Sequence, residues 1–139
     1  MTHTYPHIAQ VVLDSPDARR AAEFYRQVFG LQYREGDAPP PADEPDPNGE
    51  DWLVLCNPGG IQLAFQQVDE QTPTTWPEQA VPQQLHLDTQ VSSKEELDRQ
   101  HERIVALGGT LRFDRSDDPQ EPLRVYADPD GHTFCVFVG

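Results

Sequence analysis

His86 and Asp88 stand two residues apart in the run Leu85-His-Leu-Asp-Thr-Gln-Val91. Side chains at i and i+2 of a strand share a face, so an imidazole and a carboxylate are placed side by side. Such a pair can relay protons, because imidazole titrates near neutral pH. It can give a divalent ion two ligands, or hold a small ligand without metal. It can also do neither, each side chain satisfying the other's hydrogen bonds inside a cavity. The other histidines offer less. His3 and His7 lie near the start, His101 falls on the apolar stripe of a helix as a packed or interface residue, and His132 follows a turn glycine. Cys56 and Cys135 show no CxxC and no disulfide framework spacing. Cys56 reads as structural; Cys135 reads as a small core residue or as a reactive thiol.

Composition narrows the partners. The 139 residues carry 24 acidic and 10 basic side chains, a net charge of −14, and Lys94 is the sole lysine. Phosphate backbones and anionic lipid surfaces are held by clustered Lys and Arg, so nucleic acid and membrane are not expected partners. No apolar run approaches a membrane span. The opening Met1-Thr-His-Thr-Tyr-Pro lacks a secretory pattern. With two unpaired cysteines, a reducing cytoplasm is the expected location.

The elements that must position His86 and Asp88 occur twice. The runs 8–13 and 85–91 read as strands. A helix follows each. The first has Ser15 as N-cap and Pro16 at its first position; the second has the capping-box spacing Ser93-x-x-Glu96. The stripes Ala21, Phe24, Tyr25, Val28 and Leu97, Ile104, Val105 face a core, and Gly30 and Gly108 end the helices. Short strands follow at 31–35 and 110–115. Two hairpins then come at 51–65, around Asn57-Pro-Gly-Gly60, and at 123–138, around Asp128-Pro-Asp-Gly131. The unit is strand, helix, strand, strand, strand. Module one spans 7–68, a linker 69–82, and module two 83–138, within a single domain of 1–139. Module one carries about seven extra residues in 37–51, a stretch of five prolines and six acids. That composition predicts a surface loop, either plainly solvated or a flap over a site. Trp76 in the linker fills a groove between elements or touches a ligand or a partner subunit.

Two βαβββ modules in this length resemble the vicinal oxygen chelate superfamily, which includes glyoxalase I, extradiol dioxygenases, and fosfomycin- and bleomycin-resistance proteins. The residues that carry the likeness are Asp17, Ala22-Glu-Phe-Tyr25 and Val28-Phe-Gly-Leu31, with Asp128-Pro-Asp-Gly-His132. Leu63–Val68, Trp76-Pro77 and Pro82–Asp88 are most similar to its small glyoxalase-like subfamily. The resemblance implies an α+β fold with two cup-shaped mixed sheets, the first and last strands of each module side by side, and a homodimer.

It also implies four metal-ligand positions. Three fall on Gln10, His86 and Cys135. The second position falls on Gln62 by matching the strand, or on Ala64 by the internal repeat. The resemblance implies carboxylates at the second and fourth positions, where this chain has Gln62 or Ala64 and Cys135. Gln10 and His86 would hold the metal if one is bound, with Zn, Ni, Mn and Fe as the candidates. No cofactor is demanded by the residues themselves, and standard glyoxalase I or extradiol dioxygenase chemistry is not expected.

Three functions compete. One is a lyase or isomerase acting on a small oxygenated molecule, with His86 and Asp88 as its acid–base pair and Gln10, Gln62, Ala64, Trp76 and Cys135 around the cavity. Another is a metal-free protein that binds a drug or metabolite, with aromatic walls drawn from Trp52, Trp76, Phe65, Phe113, Tyr126 and Phe137. The last is an interaction domain that uses the acidic loop.

Overall fold

The structure, a computed structural model, describes residues 5–139; His3 lies outside the described residues. The chain forms two compact units, Met1–Glu70 and Gln71–Gly139. Each contains one helix and one four-stranded mixed sheet, the expected α+β arrangement.

The first unit contains β1 (Gln10–Ser15), α1 (Ala18–Phe29), β2 (Gln32–Tyr33), β3 (Trp52–Cys56) and β4 (Gln62–Gln67). Its sheet order is β1-β4-β3-β2. The second unit repeats this with β5 (His86–Val91), α2 (Lys94–Leu107), β6 (Thr110–Arg115), β7 (Leu123–Ala127) and β8 (Thr133–Val138), ordered β5-β8-β7-β6. The first and last strands of each unit pair in parallel, β1 with β4 and β5 with β8, and the other pairings are antiparallel. Both hairpin turns close as their sequences require. Gly60 N–H donates to the Asn57 carbonyl and Gly131 N–H to the Asp128 carbonyl, each at 3.0 Å.

α1 buries Ala18, Ala21, Ala22, Phe24, Tyr25 and Val28 against its sheet. Tyr25 stacks on Phe65 at 5.6 Å. In the second unit Tyr126 stacks on Phe134 at the same distance, and α2 buries Leu97 and Ile104. Val105 departs from its expected place on the stripe and is 47% exposed, because one residue beyond Ile104 is a turn of about 100° away from the core. His101 is packed: its Nδ1 lies 2.8 Å from the Tyr126 hydroxyl.

The start of α1 also differs from expectation. The N-cap is Asp17, whose carboxylate accepts the Arg20 N–H at 3.1 Å. Ser15 is the last residue of β1, where its carbonyl accepts the Val68 N–H. Its hydroxyl accepts from Asp17 N–H at 2.9 Å. Two good caps compete here, and the strand claims the first. β2 is shorter than 31–35 because the chain turns at Arg34, whose carbonyl accepts the Asp37 N–H.

The acidic loop 37–51 is bracketed rather than loose. Asp37 is buried, and its Oδ2 accepts the Val54 N–H at 2.9 Å and pairs with Arg34 at 3.1 Å. Arg19, on α1, reaches Asp46 with two bonds of 2.8 Å and the Asp37 carbonyl with one of 2.6 Å. Its guanidinium lies over the Tyr33 ring at 5.1 Å. Through Arg19 the Asp46 carboxylate and the Asp37 carbonyl fasten the loop to the helix, and the cation–π contact holds the same guanidinium against β2. No helix among the described residues is long and apolar enough to cross a membrane.

Candidate functional site

The period of two in β5 sends Leu87, Thr89 and Val91 inward and leaves His86, Asp88 and Gln90 exposed on the other face. The register of the second sheet extends that face. Asp88 sits beside Cys135, Cys135 beside Val125, and Val125 beside Phe113. The next row runs Gln90, Phe137, Leu123, Arg115. A cavity of about 580 Å³ opens over these rows. Leu123, Val125 and Cys135 line it from the sheet, and Trp76, Phe113 and Phe137 add aromatic surface. Trp76 meets Phe113 edge-on at 5.8 Å. The polar lining includes His86, Asp88, Gln83, Arg115 and Glu121. Arg115 is held by Glu121 at 3.2 Å and Asp118 at 3.6 Å.

Four predicted residues therefore line one cavity: His86, Asp88, Trp76 and Cys135. His86 Nε2 lies 3.3 Å from Asp88 Oδ1. Its Nδ1 lies 3.3 Å from Gln83 Nε2, and Gln83 Oε1 accepts the Thr133 hydroxyl at 2.6 Å. Gln83 belongs to this site; it lies in the run Pro82–Asp88 that carries the resemblance, but its residue type and spacing gave it no role.

The other three predicted residues belong to the first unit. Gln10 is half-buried on β1, directly beside Gln62 in register. Gln62 Oε1 accepts the Asn57 N–H at 2.6 Å, so this amide braces its hairpin. Ala64 is fully buried and presents only a methyl. Of the six aromatic candidates, Phe65 and Tyr126 are fully buried in their cores, Trp52 lies half-buried on β3, and Trp76, Phe113 and Phe137 line the cavity.

A divalent ion is a poor match for the donors around His86. Among the described residues no three His, Cys, Asp or Glu side chains gather in a metal-binding group. Cys135 is 7% exposed. Burial, aided by the negative charges of Asp88 and Glu121, pushes its thiol up to about 11. A protonated thiol is a weak ligand and a weak nucleophile. The consequence for stability has a definite sign. The folded-state value is raised above the ordinary one, near 9. The stabilisation is therefore full below about pH 9 and is lost as pH rises through about 11. In urea unfolding across that range, wild type is expected to lose stability that Cys135→Ala does not lose. Parallel declines in both proteins would contradict it.

Comparison with known proteins agrees with the architecture. Residues 10–137 match the family model described as a glyoxalase-like domain. A glyoxalase/bleomycin resistance protein/dioxygenase family enzyme from Burkholderia phytofirmans PsJN superposes with a TM-score of 0.69 at 20% identity, over 96% of this chain and 98% of that one. The fosfomycin resistance protein FosX from Listeria monocytogenes gives 0.68 at 18% identity, over 98% and 95%. A FosX variant was solved with Mn(II) and 1S,2S-dihydroxypropylphosphonic acid; it gives 0.69 at 19% identity, over 98% and 94%. At these identities the likeness is one of fold. No curated protein sequence matches the chain.

Proposed function

The chain belongs to the glyoxalase-like domain family, and from that premise we propose that it binds a small, partly aromatic organic molecule in the second unit's cavity without a metal. The observation that carries the reading is one sheet face that joins an apolar floor to the His86–Asp88 pair, with Cys135 in place of an ionised donor. Trp76, Phe113 and Phe137 supply stacking surface, and His86 and Asp88 orient the polar end. The volume suits a ligand of ordinary metabolite or drug size.

Trp76 is also a reporter. In a Trp52→Phe background, fragments that enter the cavity are expected to quench its fluorescence. Phe137→Ala and Asp88→Ala are each expected to weaken that binding about tenfold, the effect of one lost contact of roughly 1.4 kcal/mol. Fragments that bind equally well to both variants would place the ligand elsewhere. Dialysis against Zn, Ni, Mn or Fe is expected to leave no stoichiometric metal after a chelator wash.

A lyase or isomerase role is favoured by one observation, the 3.3 Å approach of His86 Nε2 to Asp88. It requires solvent deuterium to enter a bound carbonyl compound, and His86→Ala and Asp88→Asn to abolish that exchange. A homodimer and a cytoplasmic location belong to the same proposal. The free thiols Cys56 and Cys135 support the second, and sedimentation at twice the chain's mass would support the first.

A further inference from the structure

We infer that the cavity of the second unit takes an organic cation: an amine or amidine seated on the Asp88 carboxylate, with an apolar or aromatic body lying across β8 and β7 toward Phe113. This rests on the reading of the cavity as the ligand site and names the class of ligand that the site selects.

Charge is unevenly matched around the cavity. Among the described residues that line it, Asp88 and Glu121 are acidic and Arg115 is the one Lys or Arg. Arg115 is already engaged, by Glu121 at 3.2 Å and by Asp118 at 3.6 Å. No lysine or arginine of the lining remains for Asp88. Its neighbour His86 approaches Oδ1 through Nε2 at 3.3 Å, and an imidazole loses its charge above the neutral range. A carboxylate offers about four lone-pair sites, and the Asp88 side chain is 61% exposed, so most of its accepting capacity stays open to a ligand. The negative field reaches the floor of the cavity. The Cys135 thiol is pushed up to about 11 by burial, then by the charges of Asp88 and Glu121, and Arg115 opposes them more weakly. Charges that disfavour a thiolate favour a cation.

The sheet register sets the rest of the ligand. Asp88 stands on β5, at the edge of the second sheet. Cys135 is one strand in and Val125 two strands in, with Phe113 beyond them on β6. At about 4.8 Å between strands, roughly 14 Å separates the Asp88 and Phe113 backbones. Between them the floor is Cys135, Val125 and Leu123. Phe137 stands on the next row of β8, about 8 Å diagonally from Asp88. Polar groups of a ligand would go unpaired over that floor, so the body must be apolar. Trp76, Phe113 and Phe137 give it ring surface. An anion of the same shape meets the like charges of Asp88 and Glu121, and a neutral alcohol bonds Asp88 without neutralising it.

Calorimetric titration of the full chain with 4-phenylbutylamine, 4-phenylbutanol and 4-phenylbutyrate tests this at about pH 8, where an ordinary imidazole is neutral and an alkylammonium is charged. Wild type is expected to bind the amine about tenfold more tightly than the alcohol, the effect of one hydrogen-bonded ion pair, and to bind 4-phenylbutyrate most weakly. Asp88→Asn keeps a hydrogen-bonding group and removes the charge. It is expected to erase the amine's advantage, to leave the alcohol's affinity within about twofold, and to strengthen binding of 4-phenylbutyrate. Unchanged alcohol binding also shows that the variant is folded. The whole chain carries a charge of −14, so Glu44→Gln is the control. It removes one exposed acid of the first unit and is expected to keep the amine's advantage. Phe137→Ala is expected to weaken amine and alcohol alike and to leave their ratio unchanged. Equal affinity of wild type for amine and alcohol, an advantage that survives Asp88→Asn, or one that falls as far in Glu44→Gln overturns the inference. If the alcohol binds wild type and weakens in Phe137→Ala while the amine holds no advantage, the cavity reading stands and the cation assignment fails. If none of the three binds wild type, or if Phe137→Ala changes no affinity, the cavity reading fails and the cation assignment with it.

Discussion

Replacing Phe134 by alanine is expected to remove about 3–5 kcal/mol of folding stability, the usual cost of emptying a buried aromatic site. Phe134 is fully buried on the helix-facing side of β8, stacked on Tyr126 at 5.6 Å and paired in register with Leu87. Tyr126 is itself fully buried, so it cannot swing to fill the space without breaking its hydroxyl contact with His101. Phe137, three residues on, is the control. It lies on the opposite face of the same strand and lines the cavity. Phe137→Ala is expected to cost well under half as much stability while weakening ligand binding. Chemical unfolding of both variants, read beside the Trp76 titration, checks the division. Equal losses of stability would mean that the cavity face is also core.

Replacing Arg19 by alanine is expected to cost about 2–3 kcal/mol and to free the acidic loop. The Arg19 side chain is 16% exposed, and it bonds Asp46 twice, bonds the Asp37 carbonyl and covers the Tyr33 ring. Hydrogen bonds to charged groups contribute about 1.5–3 kcal/mol each, and part of that returns when the freed groups meet water. The effect should have a pH signature. Arg19 holds the Asp46 carboxyl below the usual carboxylate range. A depressed folded-state value gives stability that is present above the unfolded value near pH 4 and is lost as pH falls through the folded one. Wild type should lose this increment in acid, and Arg19→Ala should lose only the smaller part that the Gly49 N–H bond to Asp46 sustains. Amides of 37–51 should exchange faster with solvent deuterium in the variant. Arg19→Lys should recover the charge but not the forked pair, leaving exchange intermediate.

The repeat was legible because its signals are local. The Asn57 and Asp128 turns, the Gly30 and Gly108 helix ends and the Ser93 cap each depend on neighbours a few residues away. The His86–Asp88 pair was legible for the same reason, since period two needs only a strand. The N-cap of α1 was not, because Ser15 and Asp17 are both good caps and only the sheet decides how far β1 runs. The cavity walls needed register: Tyr126 and Phe134 face the helix, Phe113 and Phe137 face the cavity, and a bulge between Leu111 and Phe113 resets the alternation on β6. Gln83 was illegible because its anchor, Thr133, lies 50 residues away. The loop's composition announced exposure but not its clamp, for Arg19 and Asp46 are 27 residues apart.

Parallel closure of each sheet has a consequence for cutting and rejoining the chain. β5 and β8 lie side by side and point the same way. The start of β5 and the end of β8 are therefore a full strand apart, about 20 Å for six residues. An antiparallel closure would need only a two-residue turn to join such ends. Here a circularised second unit would need a bridge of at least about six extended residues from Val138 back to His86. Any shorter splice would drag β5 along β8 and carry His86 out of register with Thr133, so connection length alone would break the contacts that run from Thr133 through Gln83 to His86 while every one of these residues remained present.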